Sequence, residues 1–399
     1  MIARNEKSLL NYADLRMAAR ARLPRGLFEF IDRGTEDEHA LSHNKSVLSE
    51  LKLVPRVLRD VSSVSCAATL LGEKCDAPVV VAPTGSAGLA WHKGELALAS
   101  AASKENVPFV ISTASLTPME EIIERTDGCA WFQLYIWPDK EESFRLVERA
   151  RKAGFTGLMV TVDTVVTPNR EYNVRNGFSI PLRPNLRNIM DSALHPTWTC
   201  SVVLRYLLSS GLPRHENYPE HLRNSLISKP KAPAATAGKS TVTWEDLERL
   251  RQEWPGKLVV KGILDPDDAA QAIGMGIDAI VVSNHGGRNL DSAVSPLTQL
   301  PVIRAAVGKD ATLLVDSGFT RGSDVVKAIA LGADGVMLGR MPLWGAAVNG
   351  EAGARHALQI IRNEILRTMS FIGATSLGAL GRGYLSERAV TDNYSRRYE

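Results

Sequence analysis

The sequence predicts one α/β domain over residues 1–399, a (β/α)8 TIM barrel with an N-terminal helical extension and a long excursion after its fourth strand. Three observations predict it. Eight short apolar runs recur from residue 79 onward, amphipathic stretches separate them, and chemically capable side chains gather at the ends of the runs.

The runs are VVVAP (79–83), FVIST (109–113), AWFQLY (130–135), GLMVTVD (157–163), KLVVKG (257–262), AIVVSN (279–284), TLLVDSG (312–318) and GVMLGR (335–340). Strands buried on both faces read as continuous apolar runs, the mark of a parallel sheet covered by helices. Between them GELALASAASKEN, KEESFRLVERARKAG, WEDLERLRQEW, PDDAAQAIGMG and GSDVVKAIALG carry apolar residues at helical spacing with glycine stops. Eight such units favour closure over an open sheet.

Two segments fall outside the repeat. In residues 1–77, SLLNYADLRMAARARL and LPRGLFEFIDRG read as helices lying across one end of the barrel. Residues 177–243, rich in Pro, Asn, Ser and basic side chains, are too long for an ordinary connection and read as a lid or interaction segment. Within it, WTCSVVLRYLLSSGL (198–212) beside basic KPKAP reads as a helix packed on the barrel or on a neighbouring subunit, or as a peripheral membrane contact.

Composition excludes several classes. Hydrophobic residues make up 44% and charged residues 23%, ordinary for a globular protein, and the net charge of +3 comes without a dense basic block, so no nucleic-acid partner is expected. Cys66, Cys75, Cys129 and Cys200 are scattered, without metal-ligand spacing, so reduced thiols and no metal are expected. The N-terminus lacks an apolar signal region, and no stretch reaches the roughly 18 apolar residues that span a bilayer. A cytoplasmic protein, peripheral on the inner face of a membrane at most, is the expectation.

Barrel enzymes build their sites at the C-terminal strand ends. Read in order, those ends carry Thr84 and Gly85, Ser112 and Thr113, Gln133 and Tyr135, Thr161 and Asp163, then Lys261, then Ser283, His285 and Arg288, then Asp316, then Gly339 and Arg340. In VVSNHGGRNLD (281–291), His285 is suited to general-base work near neutral pH and Arg288 offers a two-pronged donor for a carboxylate. Asp163 could fix the imidazole in one tautomer and Tyr135 could add a hydroxyl hydrogen bond, a set suited to an acid substrate that loses a proton. DSGFTRGSD and GRMPLWG follow the seventh and eighth runs, where barrels bind phosphate on backbone N–H groups, with Arg340 adding charge. Ser112, Gln133, Thr161 and Lys261 could bond the edge of a planar ring over the barrel mouth.

With these residues in view, the chain resembles the FMN-dependent (S)-2-hydroxy acid oxidases and dehydrogenases, a family that includes glycolate oxidase, L-lactate dehydrogenase and (S)-mandelate dehydrogenase. The likeness runs from about Tyr12 to Tyr384 and weakens in the excursion; SNHGGRNLD is close to the family signature, which usually has Gln at Asn289. The resemblance implies FMN as cofactor, His285 as base with Asp163 its partner, Arg288 and Arg170 on the substrate carboxylate, and Tyr135 beside the substrate hydroxyl. It places Lys261 near the flavin N1 and O2, Ser112, Gln133 and Thr161 on the ring, and Asp316, Gly318, Gly339 and Arg340 around the ribityl phosphate. Pro83, Thr84, Gly85, Ser283 and Arg321 complete the expected cofactor contacts.

Two positions depart from the family pattern. Phe30 stands where a tyrosine hydroxyl usually helps hold the carboxylate, and DSGFTRG replaces DGGVRRG, so Thr320 takes the first arginine's place and leaves Arg321. Ala114 occupies a position where glycolate oxidases carry Trp, which leaves room for a larger substrate. HPTW (195–198) is similar instead to bacterial lactate dehydrogenases. The resemblance favours a bulky or aromatic acid such as (S)-mandelate over lactate, a quinone or oxygen as electron acceptor, and a homo-oligomer, a tetramer. A Schiff-base aldolase using Lys261, or a flavoprotein scaffold without catalysis, are the alternatives from other classes.

Overall fold

A computed structural model of the chain describes residues 8–180, 182, 185–221, 223 and 242–386. Ten strands are present among the described residues. A hairpin of β1 (Ala68–Leu70) and β2 (Glu73–Cys75) precedes β3 (Val79–Val81), β4 (Phe109–Ser112), β5 (Ala130–Leu134), β6 (Gly157–Thr161), β7 (Lys257–Ile263), β8 (Ala279–Val282), β9 (Thr312–Val315) and β10 (Gly335–Leu338). Strands β3 to β10 pair in parallel, each with its sequence neighbour, and β10 pairs with β3 to close the barrel.

All eight expected runs are barrel strands. The polar residues sit at or just past the C-terminal ends of these strands: Ser112, Gln133, Thr161 and Lys261 are still paired in the ladder, while Thr84, Tyr135, Asp163, His285, Asp316 and Arg340 lie beyond it. Val80, Val110, Met159, Val259, Val281, Leu314 and Met337 fill the barrel interior with Trp131. Burying one aliphatic side chain of this size contributes about 1.5–3 kcal/mol. The neighbouring strand residues point outward into a second apolar layer beneath the helices, which explains why the runs show no alternation.

The hairpin was not expected. Leu70 and Cys75 join the interior cluster beside Val80 and Trp131, so β1 and β2 close the bottom of the barrel, opposite the strand ends that carry the polar residues. The N-terminal extension forms the expected helices Tyr12–Arg22 and Arg25–Asp32, with a third, His39–Glu50. Asn11 caps the first by accepting a hydrogen bond from the Asp14 N–H at 3.0 Å.

The helix Glu171–Asn176 leads into the excursion, which holds the helix Leu186–Leu194 and a run of helical turns from Pro196 to Ser209. Trp198, Val202 and Tyr206 of that run are buried against the barrel, the packed-helix reading of this stretch. KPKAP (229–233) lies outside the described residues. Among the described residues no helix is long and apolar enough to cross a membrane, and no cluster of His, Cys, Asp or Glu is arranged to hold a metal.

Candidate active site

The strand ends open into a cavity of about 700 Å³. Phe30, Pro83, Thr84, Gly85, Ala114, Tyr135, Thr161, Arg170, Lys261, His285, Arg288, Asp316, Gly318, Gly339 and Arg340 line it, drawn from all eight strand ends and from the N-terminal helices. Ser112, Gln133, Ser283 and Asp163 stand behind that lining as its hydrogen-bonding support. Gln133 donates to Thr161 Oγ1 at 3.0 Å and accepts from Ser112 at 3.2 Å.

His285 follows β8 with φ of +57°, a left-handed conformation uncommon for a side chain of this size. The turn is held by the Ser283 hydroxyl, which accepts from the His285 N–H at 3.0 Å and from Lys261 Nζ at 2.9 Å. The ring meets Asp163 through Nδ1, 2.9 Å from Oδ1, so Nε2 is the nitrogen left for the cavity. Burial works against a charge on Asp163, but His285 and Lys261 beside it outweigh that and hold its carboxyl below the usual range. The acid is therefore an anion that fixes the tautomer of the base. Asn289 donates to the Asp163 carbonyl at 2.9 Å, tying the loop after β8 to the end of β6.

Lys261 ends its side chain against Asp316, 2.9 Å away, and is 5% exposed. Burial alone would lower its pKa, but Asp316 and Asp163 reverse the balance and hold it above the ordinary lysine value. A Schiff-base lysine needs the opposite, a free amine near neutral pH, so this geometry opposes the aldolase reading.

Arg170 and Arg288 reach the cavity from two different loops, and among the described residues no carboxylate pairs with either. Arg288 donates to the carbonyls of Arg33 at 2.8 Å and Ile31 at 3.3 Å, and Arg170 donates to the Arg288 carbonyl at 3.3 Å. Burial, and for Arg288 its neighbour Arg170, lower the pKa of both guanidinium groups. Arg170 Nε is buried with no hydrogen-bond partner. Two buried cations held close together without an anion form a socket for one. Phe30 lies under both, with its ring centroid 5.4 Å from the Arg288 guanidinium and 5.8 Å from that of Arg170. The residue that lacks the family hydroxyl thus keeps a cation–π contact with each.

Arg321 does not reach the cavity. It precedes the helix Gly322–Ala330, and its half-exposed guanidinium pairs with part-buried Glu364 at 3.1 Å, a partner on the C-terminal helix that sequence position did not reveal. Thr320 takes its place in the lining. Ser86, His215, Tyr218, Phe178 and Ile180 also line the cavity and were not anticipated. The last four belong to the excursion, where no motif singled them out.

The lining fits a phosphate-bearing flavin. At one end stand the backbone of Ser317–Gly318 and Gly339 at the start of the helix Arg340–Phe371, an anion-binding helix terminus. A Cβ added at Gly339 would meet nothing closer than Ala82 and Thr84 at 3.9 Å, so the backbone there is open to a ligand. At the other end Lys261 and Thr161 present polar atoms to the cavity, in keeping with a ring edge.

An imidazole held by a carboxylate, two guanidiniums without a carboxylate partner and an open helix terminus share one barrel mouth, an arrangement suited to an enzyme that handles small carboxylic acids with a phosphate-bearing cofactor. The chain belongs to the FMN-dependent dehydrogenases: the model of that family matches residues 19–387. It is 39% identical to (S)-mandelate dehydrogenase of Pseudomonas putida over 386 residues, 97% of this chain and 96% of that one. It is 40% identical to an L-lactate dehydrogenase of Stenotrophomonas maltophilia over 374 residues, 93% of this chain and 97% of that one. Among solved structures, a monotopic membrane (S)-mandelate dehydrogenase superposes with a TM-score of 0.87 at 38% identity, covering 95% of this chain and 99% of the other. The protein is an FMN-dependent 2-hydroxy acid dehydrogenase or oxidase.

Proposed function

We propose that the chain oxidises a bulky (S)-2-hydroxy acid, (S)-mandelate in type, to the 2-oxo acid, with His285 as base. The observation that carries this reading is the pair of buried guanidiniums, Arg170 and Arg288, without a carboxylate partner, in the cavity that His285 also lines. They hold the substrate carboxylate. His285 accepts one proton through Nε2 as the substrate loses two electrons, and Asp163 stabilises the imidazolium formed. Tyr135 lines the same wall and is positioned to hydrogen-bond the substrate hydroxyl.

Lys261 and Thr161, with Gln133 supporting Thr161 from behind, would hold the flavin ring edge, while Gly318, Gly339 and Arg340 would hold the phosphate. Bound FMN would supply the acceptor for the two electrons and the remaining proton. The protonated Lys261 favours negative charge at its end of the cavity.

Identity alone does not separate mandelate from lactate, since both kinds of relative stand near 39%. The cavity lining supports the larger acid. Ala114 and Gly85 put small residues on one wall and pack on each other, a Cβ added at Gly85 lying 3.3 Å from Ala114 Cβ. HPTW carries no contrary weight, because Trp198 is buried and donates to the Leu89 carbonyl at 2.7 Å rather than lining the cavity.

A quinone in a membrane is the acceptor the surface favours. Leu186, Ile189, Met190 and Leu194 are all exposed along one face of the helix Leu186–Leu194, a stripe suited to an interfacial seat. The test is the visible spectrum of the holoprotein under nitrogen with (S)-mandelate or (S)-lactate. Faster bleaching by mandelate supports the reading; faster bleaching by lactate reverses the substrate assignment, and no bleaching by either acid removes it.

A further inference from the structure

The wall beside Ala114 is not uniformly apolar. Ser86 Oγ lies 3.1 Å from Nε2 of His215, and both residues line the cavity. Ser86 is held with its backbone N–H donating to the Ala114 carbonyl at 2.8 Å, at a left-handed φ of +56°. On the other side the backbone N–H of Glu216 donates to the Ser115 carbonyl at 3.0 Å, which pins the excursion to the same strand end. The His215 ring stacks on Tyr218 with centroids 4.6 Å apart and planes 29° apart. Burial, and after it the neighbouring Tyr135, raise the Tyr218 pKa, and both tyrosines line the cavity, so the wall is continuous with its reacting end.

We propose that Ser86 and His215 form a polar subsite for the far end of the substrate, and that the preferred substrate is an aryl 2-hydroxy acid bearing a neutral hydrogen-bonding group such as a phenolic hydroxyl. This rests on the hydroxy-acid reading above and narrows it. The flat His215–Tyr218 face suits an aromatic ring, and Ala114 leaves the space for it. A serine hydroxyl bonded to one imidazole nitrogen retains capacity for a further hydrogen bond. Burial pushes the His215 pKa down to about 4, so at neutral pH the ring offers no positive charge and selects against a second carboxylate. Polar groups placed for a substrate hydroxyl discriminate against an analogue that lacks it, because they are then left unpaired.

The holoenzyme is assayed with (S)-mandelate, (S)-4-hydroxymandelate and (S)-4-chloromandelate, and in Ser86→Ala and His215→Leu variants. Expected is a kcat/KM ratio of about tenfold or more for the hydroxylated acid over mandelate, with the chloro acid not preferred. In each variant that ratio falls toward one. Comparing substrates within one variant cancels any general loss of activity or folding. Calorimetric binding of 4-hydroxyphenylglyoxylate and phenylglyoxylate, the corresponding 2-oxo acids, should show the same ordering and the same collapse without turnover. Mandelate turnover with a hydroxyl preference near one, or one that survives both substitutions, overturns the subsite and leaves the hydroxy-acid reading standing. Failure of all three acids to reduce the flavin overturns that reading, and the subsite with it.

Discussion

Replacing Gly262 by alanine tests whether the Asp163–His285 geometry governs the chemistry. Gly262 follows Lys261 in β7 with φ of +110°, and a Cβ built there would lie 2.6 Å from Asp163 Cβ and 2.7 Å from its Cγ. Ordinary contact begins near 3.4 Å, so the two groups must separate by about 0.8 Å. That displacement falls on the carboxylate that holds the His285 ring at 2.9 Å. Misplacement on the order of 1 Å at a reacting centre costs about 10²-fold, ~2.7 kcal/mol of barrier. The left-handed backbone adds about 1–3 kcal/mol of instability. Stopped-flow flavin reduction should therefore slow by about 10²-fold in Gly262→Ala while the protein remains yellow. Gly72→Ala is the control, since Gly72 has φ of +93° with nothing within 4 Å and lies in the hairpin at the other end of the barrel. It should share the loss of thermal stability and keep the rate. Reduction at the normal rate in Gly262→Ala would refute the coupling of Asp163 position to catalysis.

Arg288→Leu should raise KM for the hydroxy acid by about 10- to 150-fold, the weight of a charge-assisted hydrogen bond, and Arg288→Lys should recover only part of it. Steady-state kinetics decide this, and an unchanged KM would count against the anion socket. Ile189→Glu with Met190→Glu should abolish cosedimentation with anionic lipid vesicles and spare flavin reduction; retained binding would place the membrane contact elsewhere. His215, whose pKa falls from 6.5 to about 4 on folding, takes up protons more readily when unfolded, so stability from its neutral form is present above pH 6.5 and lost as pH falls toward 4. Urea titrations should show that acid loss reduced in His215→Leu, and an identical pH profile would contradict the assigned burial effect.

The eight barrel strands were legible because burial on both faces leaves an unbroken apolar run, and the residues past each run were legible because strand ends are fixed points of this architecture. His285, Asp163, Lys261 and Arg288 fall in this class. The β1–β2 hairpin escaped because three-residue strands carry almost no pattern; only Gly72 between two short segments hinted at it. Ser86 and His215 are 129 positions apart, and nothing local in the sequence predicts their contact. Arg321 was misplaced for the same reason, since Glu364, which draws it away, belongs to a distant helix.

The excursion after β6 carries both the exposed stripe of Leu186–Leu194 and the cavity wall of Phe178, Ile180, His215 and Tyr218. The residues assigned to proton transfer and to the anion socket lie outside it, with His285, Asp163, Arg170, Lys261 and Arg288 on loops and strands of the barrel itself. In the proposed reading one contiguous cassette bears substrate preference and membrane contact together, while the reaction is written into the frame that receives it. Grafting that cassette between relatives would exchange both traits at once and leave the chemistry in place.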